Sequence, residues 1–249
     1  MAAKIKLRLD ELLVKSAMVA TRTKAQALIL AGHVEVNGQV ENKAGSRFAA
    51  SDKIKLIKRD GLRYVSRGGL KLEGALSDLG IDPTDKTILD AGSSTGGFSD
   101  CLLQKGAKLV YAVDVGHGII HEKLRNHPRV RLMEKTNARS IVPGMFDPIP
   151  DMAVIDVSFI SLTKVLPAIT ACLKPDSLVL ALVKPQFEAK KGEAKRGVVK
   201  DDAIRQRVVQ EISDFASKEL DVQVIASTAS KLPGPEGNIE YFLLLKSSH

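Results

Sequence analysis

Apolar and polar positions alternate along the chain in two rhythms, one after the other. At the start, Leu9, Leu12, Leu13 and Val14 within residues 7–18 stand at helical spacing, with Arg8, Asp10, Glu11 and Lys15 on the other positions. This predicts an amphipathic helix with four charges on its polar face. Thr21 then reads as the N-cap of a second helix, in which Ala25, Leu28 and Ile29 form the apolar face and Gly32 supplies the stop. Val34, Val36 and Val40 alternate about Asn37-Gly38, the pair suited to the positive φ angles of a two-residue hairpin turn. From Thr87 onward, short apolar runs are separated by helix-length segments: TILDAG, LVYAVDV, VRLME, MAVIDVSF, LVLALVKP, VQVIAST and IEYFLLL. Seven such runs predict a doubly wound α/β sheet, with ligands at the carboxyl ends of its strands. Between the two parts, residues 58–66 lack an apolar period. The expected division is therefore a small α+β domain over 1–58, a semi-rigid linker over 59–66 and an α/β domain over 67–249.

Charge separates the two parts further. Residues 1–64 hold 13 Lys and Arg against 6 Asp and Glu, whereas the rest of the 249-residue chain holds 24 against 23. A local excess of that kind marks either a nucleic-acid surface or a solvated basic face. A composition of 44% hydrophobic and 27% charged residues excludes a disordered tail or a collagen-like chain. The longest apolar run, residues 178–183, is far short of the roughly 20 residues that span a bilayer, and the N-terminal segment has no signal-peptide core. The expected location is the cytoplasm. Cys101 and Cys172 have no Cys or His at ligand spacing, and Gly116 and Gly118 break the helix that His117 and His121 would need as a metal pair, so no metal is expected.

The first strand ends in Asp90-Ala91-Gly92-Ser93-Ser94-Thr95-Gly96-Gly97-Phe98. Glycines between a strand and a helix let backbone approach a nucleotide, and Asp114 ends the next strand where a carboxylate can accept both ribose hydroxyls. The spacing is not that of a dinucleotide site, and Asp90 would repel a pyrophosphate; a cationic sulfonium suits the loop better. This pattern resembles class I S-adenosylmethionine binding. The expected cofactor residues are Asp90, Gly92, Ser94, Thr95, Gly96, Gly97, Phe98, Asp114, Asn137, where this fold commonly meets the adenine, and Asp156.

The run from RLDELLVK to HVEVNGQV, followed by SDKIKL, resembles the S4 RNA-binding domain over about residues 6–57. That resemblance places Arg8, Arg22, Lys24, Gln26, His33 and Asn37 on the RNA face, although Asn37 alone is a turn former first. Phosphate and shape contacts should dominate such a face. Further segments, Ser66-Arg-Gly-Gly-Leu-Lys71, Asp156-Val-Ser-Phe-Ile-Ser, Lys184-Pro-Gln-Phe-Glu and Gly234-Pro-Glu-Gly-Asn-Ile-Glu240, resemble the TlyA, or hemolysin-A-like, ribosomal RNA methyltransferases. Members join an S4 domain to an FtsJ-type, Rossmann-like methyltransferase domain. The resemblance implies a Lys-Asp-Lys-Glu tetrad for 2′-O-methylation of a cytidine ribose, carried onto Lys71, Asp156, Lys184 and Glu240, with ribosomal RNA or ribosomal subunits as partner.

Chemistry gives a separate reason for such a set. A ribose hydroxyl is a poor nucleophile, so a base must take its proton while its oxygen aligns with the methyl group. Lys184 is the candidate base; Lys71 and Glu240 would orient the ribose and Lys184, and Asp156 would serve the cofactor side and the lysine network. Lys190, Lys191, Lys195, Arg196 and Lys200 follow Lys184 in a glycine-containing loop suited to substrate phosphates. Aromatics are only 4% of the chain, with no Trp, which limits base stacking to residues such as Phe159, Phe187 or Tyr241, each of which reads as core by default. Three rival functions are a membrane-active hemolysin, which no apolar span supports, a pseudouridine synthase using Asp10, and a non-catalytic ribosome-assembly factor.

Overall fold

The computed structural model describes residues 6–30, 32–41, 43–57, 63–220, 222–234 and 237–247. The N-terminal unit comprises β1 (Lys6–Arg8), α1 (Leu9–Lys15), α2 (Arg22–Leu30), β2 (Val34–Val36), β3 (Gln39–Val40), β4 (Arg47–Ala49) and β5 (Ile54–Leu56). Leu9, Leu13, Ala25, Ile29, Val34 and Val36 close its core, as their periodicity requires. Thr21 Oγ1 accepts the Lys24 N–H at 3.2 Å, and Asn37 and Gly38 take φ of 52° and 83°, so the expected cap and hairpin turn both form. The first helix is shorter than expected. Residues 6–8 pair antiparallel with β4 instead, and Ala17, at φ 55°, stops the helix beyond Lys15. Asp10 is fully buried, not on a solvated face.

The second unit is built from α3 (Arg67–Asp78), β6 (Thr87–Ala91), α4 (Gly97–Gln104), β7 (Leu109–Val113), α5 (Glu122–Arg125), β8 (Val130–Met133), β9 (Met152–Ile155), α6 (Leu166–Thr170), β10 (Leu178–Val183), α7 (Pro185–Glu188), α8 (Asp202–Glu219), β11 (Val222–Ala229) and β12 (Tyr241–Ser247). All seven expected strands enter one sheet, in the order β11-β12-β10-β9-β6-β7-β8, and β12 alone runs against the rest. Alternate residues face opposite layers: Leu89, Tyr111 and Ile155 pack with α6 and α8, while Ile88, Val110 and Met152 pack with α3 and α4. Strand order reverses at β6, which lies between β9 and β7. The loops leaving β6 and β9 therefore diverge and open a crevice at the carboxyl edge of the sheet.

Residues 63–66, expected as linker, are part of this unit. Tyr64 is buried among α3 and α4, the Val65 N–H donates to Asp100 Oδ2 at 2.8 Å, and Arg63 pairs with Glu73. An aromatic ring with a core to enter overrides the polar look of its neighbours. The expected linker residues 59–62 lie outside the described residues.

Candidate active site

Register brings the four tetrad positions together. Val183 pairs with Tyr241 across β10 and β12, so Lys184 and Glu240 leave the two strands side by side. Asp156 follows β9, the next strand over, and Lys71 projects from the second turn of α3. All four line one cleft with Gly92, Ser94, Thr95, Gly97 and Phe98 of the glycine loop.

Within the cleft the charges form two pairs. Lys71 Nζ lies 2.5 Å from Glu240 Oε2, and Lys184 Nζ lies 2.5 Å from Asp156 Oδ1 while donating to Ser158 Oγ at 2.9 Å. Glu240 is fully buried and both lysines are 9% exposed, so each charge depends on its partner to offset lost hydration. Gln186 donates to the second Glu240 oxygen at 3.2 Å. The carboxylate fills a slot that only a residue without Cβ leaves open, since a Cβ on Gly234 would fall 2.1 Å from Glu240 Oε1. Glu188 accepts the Leu162 N–H at 2.7 Å and so ties α7 to the loop after β9.

Gly92, at φ 85°, lets the two diverging loops touch: a Cβ there would lie 2.5 Å from the Asp156 carbonyl oxygen. Asp90 lies beneath this loop, fully buried. The Ser99 hydroxyl donates to its Oδ2 at 2.6 Å, and its Oδ1 and the Ser93 hydroxyl are buried without a hydrogen-bond partner among the described residues. Burial pushes the Asp90 carboxyl up to about 7, with Asp156 and Asp114 adding to the rise. A shaped backbone cradle with two unanswered polar atoms fits a polar, cationic guest.

Other expected cofactor positions stand around this cradle. Gly96, at φ 93°, turns the chain into α4, and Phe98 stacks on Phe242 at 6.1 Å, which makes it a core residue with one edge in the cleft. Asp114 accepts the N–H groups of Ser94 and Gly116 at 2.8 and 2.7 Å, bracing the cradle from the neighbouring strand. Asn137 does not line the cleft; its side-chain oxygen caps a short 3₁₀ turn by accepting the Arg139 N–H. His121 caps α5 and His117 pairs with Glu134, so the two histidines serve separate structural contacts.

On the N-terminal unit, three of the expected RNA-facing side chains are engaged in the fold. Gln26 donates to Asp10, His33 Nδ1 lies 3.1 Å from the Ile57 carbonyl, and Asn37 accepts the Lys53 N–H and donates to Asp52. Lys24 is exposed, and Arg8 and Arg22 keep 35% and 52% of their side chains exposed while touching Asp10. In the 190–200 loop, Lys190, Lys191, Lys195, Arg196 and Lys200 are all exposed and make no ion pair among the described residues. The acid of that loop, Glu193, is gripped by Arg207. Phe159 is 89% exposed at φ 63°, 4.8 Å from the Phe187 ring, so it is not core; Tyr241 is.

Ser66, Arg67, Ser158 and Gln186 are cleft or tetrad contacts that sequence reasoning did not single out. Each lies within a quoted motif, but spacing alone does not mark which of its polar residues turns inward.

Comparison with known proteins identifies the family. The model of the FtsJ-like methyltransferases matches residues 64–247 and that of the S4 domain matches residues 7–54. Hemolysin A of Brachyspira hyodysenteriae is 43% identical, with 94% of this chain and 98% of the relative covered. The 16S/23S rRNA (cytidine-2′-O)-methyltransferase TlyA of Mycobacterium tuberculosis (strain CDC 1551 / Oshkosh) is 42% identical, with 96% and 90% covered. The chain belongs to the TlyA and hemolysin A family of FtsJ-like methyltransferases. A candidate hemolysin from Streptococcus thermophilus, of solved structure, superposes on this family member with a TM-score of 0.73 at 42% identity, covering 99% of this chain and 90% of that one. Within this TlyA-family methyltransferase, no helix among the described residues is long and apolar enough to cross a membrane.

Proposed function

We propose that this chain transfers a methyl group from S-adenosylmethionine to the 2′-hydroxyl of a cytidine in ribosomal RNA, working on ribosomal subunits in the cytoplasm. The observation that carries the reading is the convergence of Lys71–Glu240 and Lys184–Asp156 on the cleft beside the glycine loop. When bound, S-adenosylmethionine supplies a methyl group on a positively charged sulfur. Gly92, Ser94, Thr95 and Gly97 would hold it by close backbone approach, with Asp90 and Asp156 as the nearby acids.

Lys184 takes the 2′-hydroxyl proton as the ribose oxygen is methylated. Asp156 and Ser158 hold the Lys184 amine at the cleft wall, and the neutral amine is the form that accepts the hydroxyl proton as the oxygen–methyl bond forms and the sulfur–methyl bond breaks. Lys71 and Glu240, locked by Gln186 and the Gly234 slot, align the ribose. The exposed cations of the 190–200 loop attract the phosphates flanking the target, and Phe159 offers an exposed face to a base.

The test is transfer of labelled methyl to purified 30S and 50S subunits, followed by nuclease digestion. Label in a ribose-methylated cytidine is the expected result, and the labelled subunit identifies the target. Label on a base, or none despite cofactor binding, would overturn the reading, and the second outcome would favour the assembly-factor role.

A further inference from the structure

A second charge cluster, outside the cleft, is centred on Asp10. This carboxylate is fully buried at the start of α1 and collects five donors. Arg8 forks onto it, Nε to Oδ1 and Nη2 to Oδ2, both at 3.0 Å; Arg22 Nε and Gln26 Nε2 reach Oδ2 at 2.9 Å; and the Glu11 N–H completes Oδ1 at 3.0 Å. Burial alone would push the Asp10 carboxyl up, but donation from Arg8, Gln26 and Arg22 outweighs it and holds the group well below the usual carboxylate range. The cluster is therefore ionised and fully hydrogen-bonded throughout the physiological range.

Core stability does not call for such an arrangement. A buried acid is a poor stabiliser compared with an apolar residue of similar size, so its placement points to what it holds. Asp10 uses the inner edges of two guanidiniums that arrive from different elements, β1 and the first turn of α2. Their outer edges reach the surface, with 35% and 52% of the side chains exposed, and the outer Nη1 of Arg22 lies 3.7 Å from the part-exposed Glu11 carboxylate, a loose contact that a phosphate would displace. Gly45 makes room for the first of them, since a Cβ there would lie 3.2 Å from Arg8 Nη1. A guanidinium has five N–H donors in a rigid plane, so fixing one edge aims the other. Two such planes anchored on one carboxylate present a prepaid grip for an anion with several acceptor oxygens, and a phosphodiester is the anion of that shape an RNA-binding unit meets.

We propose that Asp10 is a positioning residue: it sets Arg8 and Arg22 side by side as a two-guanidinium clamp on one stretch of RNA backbone. The proposal rests on the reading that the N-terminal unit binds RNA, and it adds that the clamp requires the buried acid. It also separates the expected contact residues into two kinds, with Arg8 and Arg22 touching phosphate and Gln26 belonging to the scaffold beneath them.

Simple electrostatics and positioning give opposite signs, which makes the test sharp. Asp10→Asn removes a negative charge from a basic unit, so a purely Coulombic surface would bind RNA more tightly, whereas an undone clamp binds more weakly. Filter binding of the full-length protein to purified 30S and 50S subunits over a series of KCl concentrations reads both affinity and salt slope. The expected result for Asp10→Asn is a loss of about tenfold, with the slope flatter by about one phosphate contact, roughly 0.7–0.9 in log–log units. A variant that is only partly folded would lower the apparent affinity without changing that slope. Arg8→Lys keeps the charge but not the planar fork and should lose several-fold; if Asp10→Asn fails to fold by circular dichroism, this variant decides alone. Arg8→Ala with Arg22→Ala tests the underlying reading, which fails if binding is unchanged. If that double variant weakens binding while Asp10→Asn or Arg8→Lys binds as well as wild type, the arginines act without positioning and the proposal is overturned.

Discussion

The cleft and the 190–200 loop lie a few residues apart in the chain and treat positive charge in opposite ways. Lys71 and Lys184 are 9% exposed, and each is locked to a carboxylate. The five cations of the loop are exposed and unpaired among the described residues, and the local acid is neutralised by Arg207. A lysine that must act on one hydroxyl needs a fixed position more than it needs its field. A lysine that attracts phosphate needs its field more than its position. The proposed clamp at Asp10 would combine the two, with one guanidinium edge fixed on a buried acid and the other at the surface.

The largest expected effect comes from breaking a buried pair. Glu240→Ala leaves Lys71 without its partner and should cost about 3–5 kcal/mol of stability, measured by urea unfolding, together with a loss of activity of roughly 10²–10⁴. Replacing both partners, Lys71→Met with Glu240→Met, should recover most of the stability and none of the activity. Recovery of neither would mean that the pair is chiefly a structural element.

Next is Asp90, whose folded-state carboxyl lies at about 7 against an ordinary 3.8. Because the folded value is raised, the contribution to stability is complete below about pH 3.8, declines through the window up to 7 and is lost above it. The shift of about three pH units corresponds to at most about 4 kcal/mol. Asp90→Asn should therefore flatten the fall in melting temperature between pH 5 and 8 and raise stability at pH 8. The same change should weaken S-adenosylmethionine binding. In the wild type, binding at pH 7 should release part of a proton, seen as a buffer-dependent heat in calorimetry. A wild type with flat stability across this window would contradict the assignment.

The smallest effect should come from the loop. Lys190→Ala with Lys191→Ala and Arg196→Ala should raise KM for subunits several-fold and flatten its salt dependence, with kcat unchanged. A fall in kcat instead would mean that the loop helps to order the cleft.

How much of this could be read in advance depended on distance along the chain. The seven strands, the glycine loop and the Asn37-Gly38 turn were legible because each is written in a local pattern. The tetrad was legible as four residues through resemblance, but not as two pairs, since Lys71 and Glu240 lie 169 residues apart and meet only where α3 packs against the sheet beside β12. Asp10 looked solvated because its partners Arg22 and Gln26 belong to another helix, 12 and 16 residues on. Tyr64 was hidden among charges, and Asn137 was placed by analogy where the chain uses it as a cap. Phe159 was read as core because nothing local marks a phenylalanine left in solvent at positive φ.

The central claim is that Lys184 handles the proton in a cleft whose neighbouring charges only position it. Single-turnover methyl transfer to the target subunit with Lys184→Ala, at saturating S-adenosylmethionine, tests it most directly when cofactor affinity and melting temperature are measured on the same sample. The account predicts a rate lower by roughly 10²–10⁴ with cofactor affinity nearly unchanged. Near-normal turnover by a folded, cofactor-binding Lys184→Ala protein would contradict it.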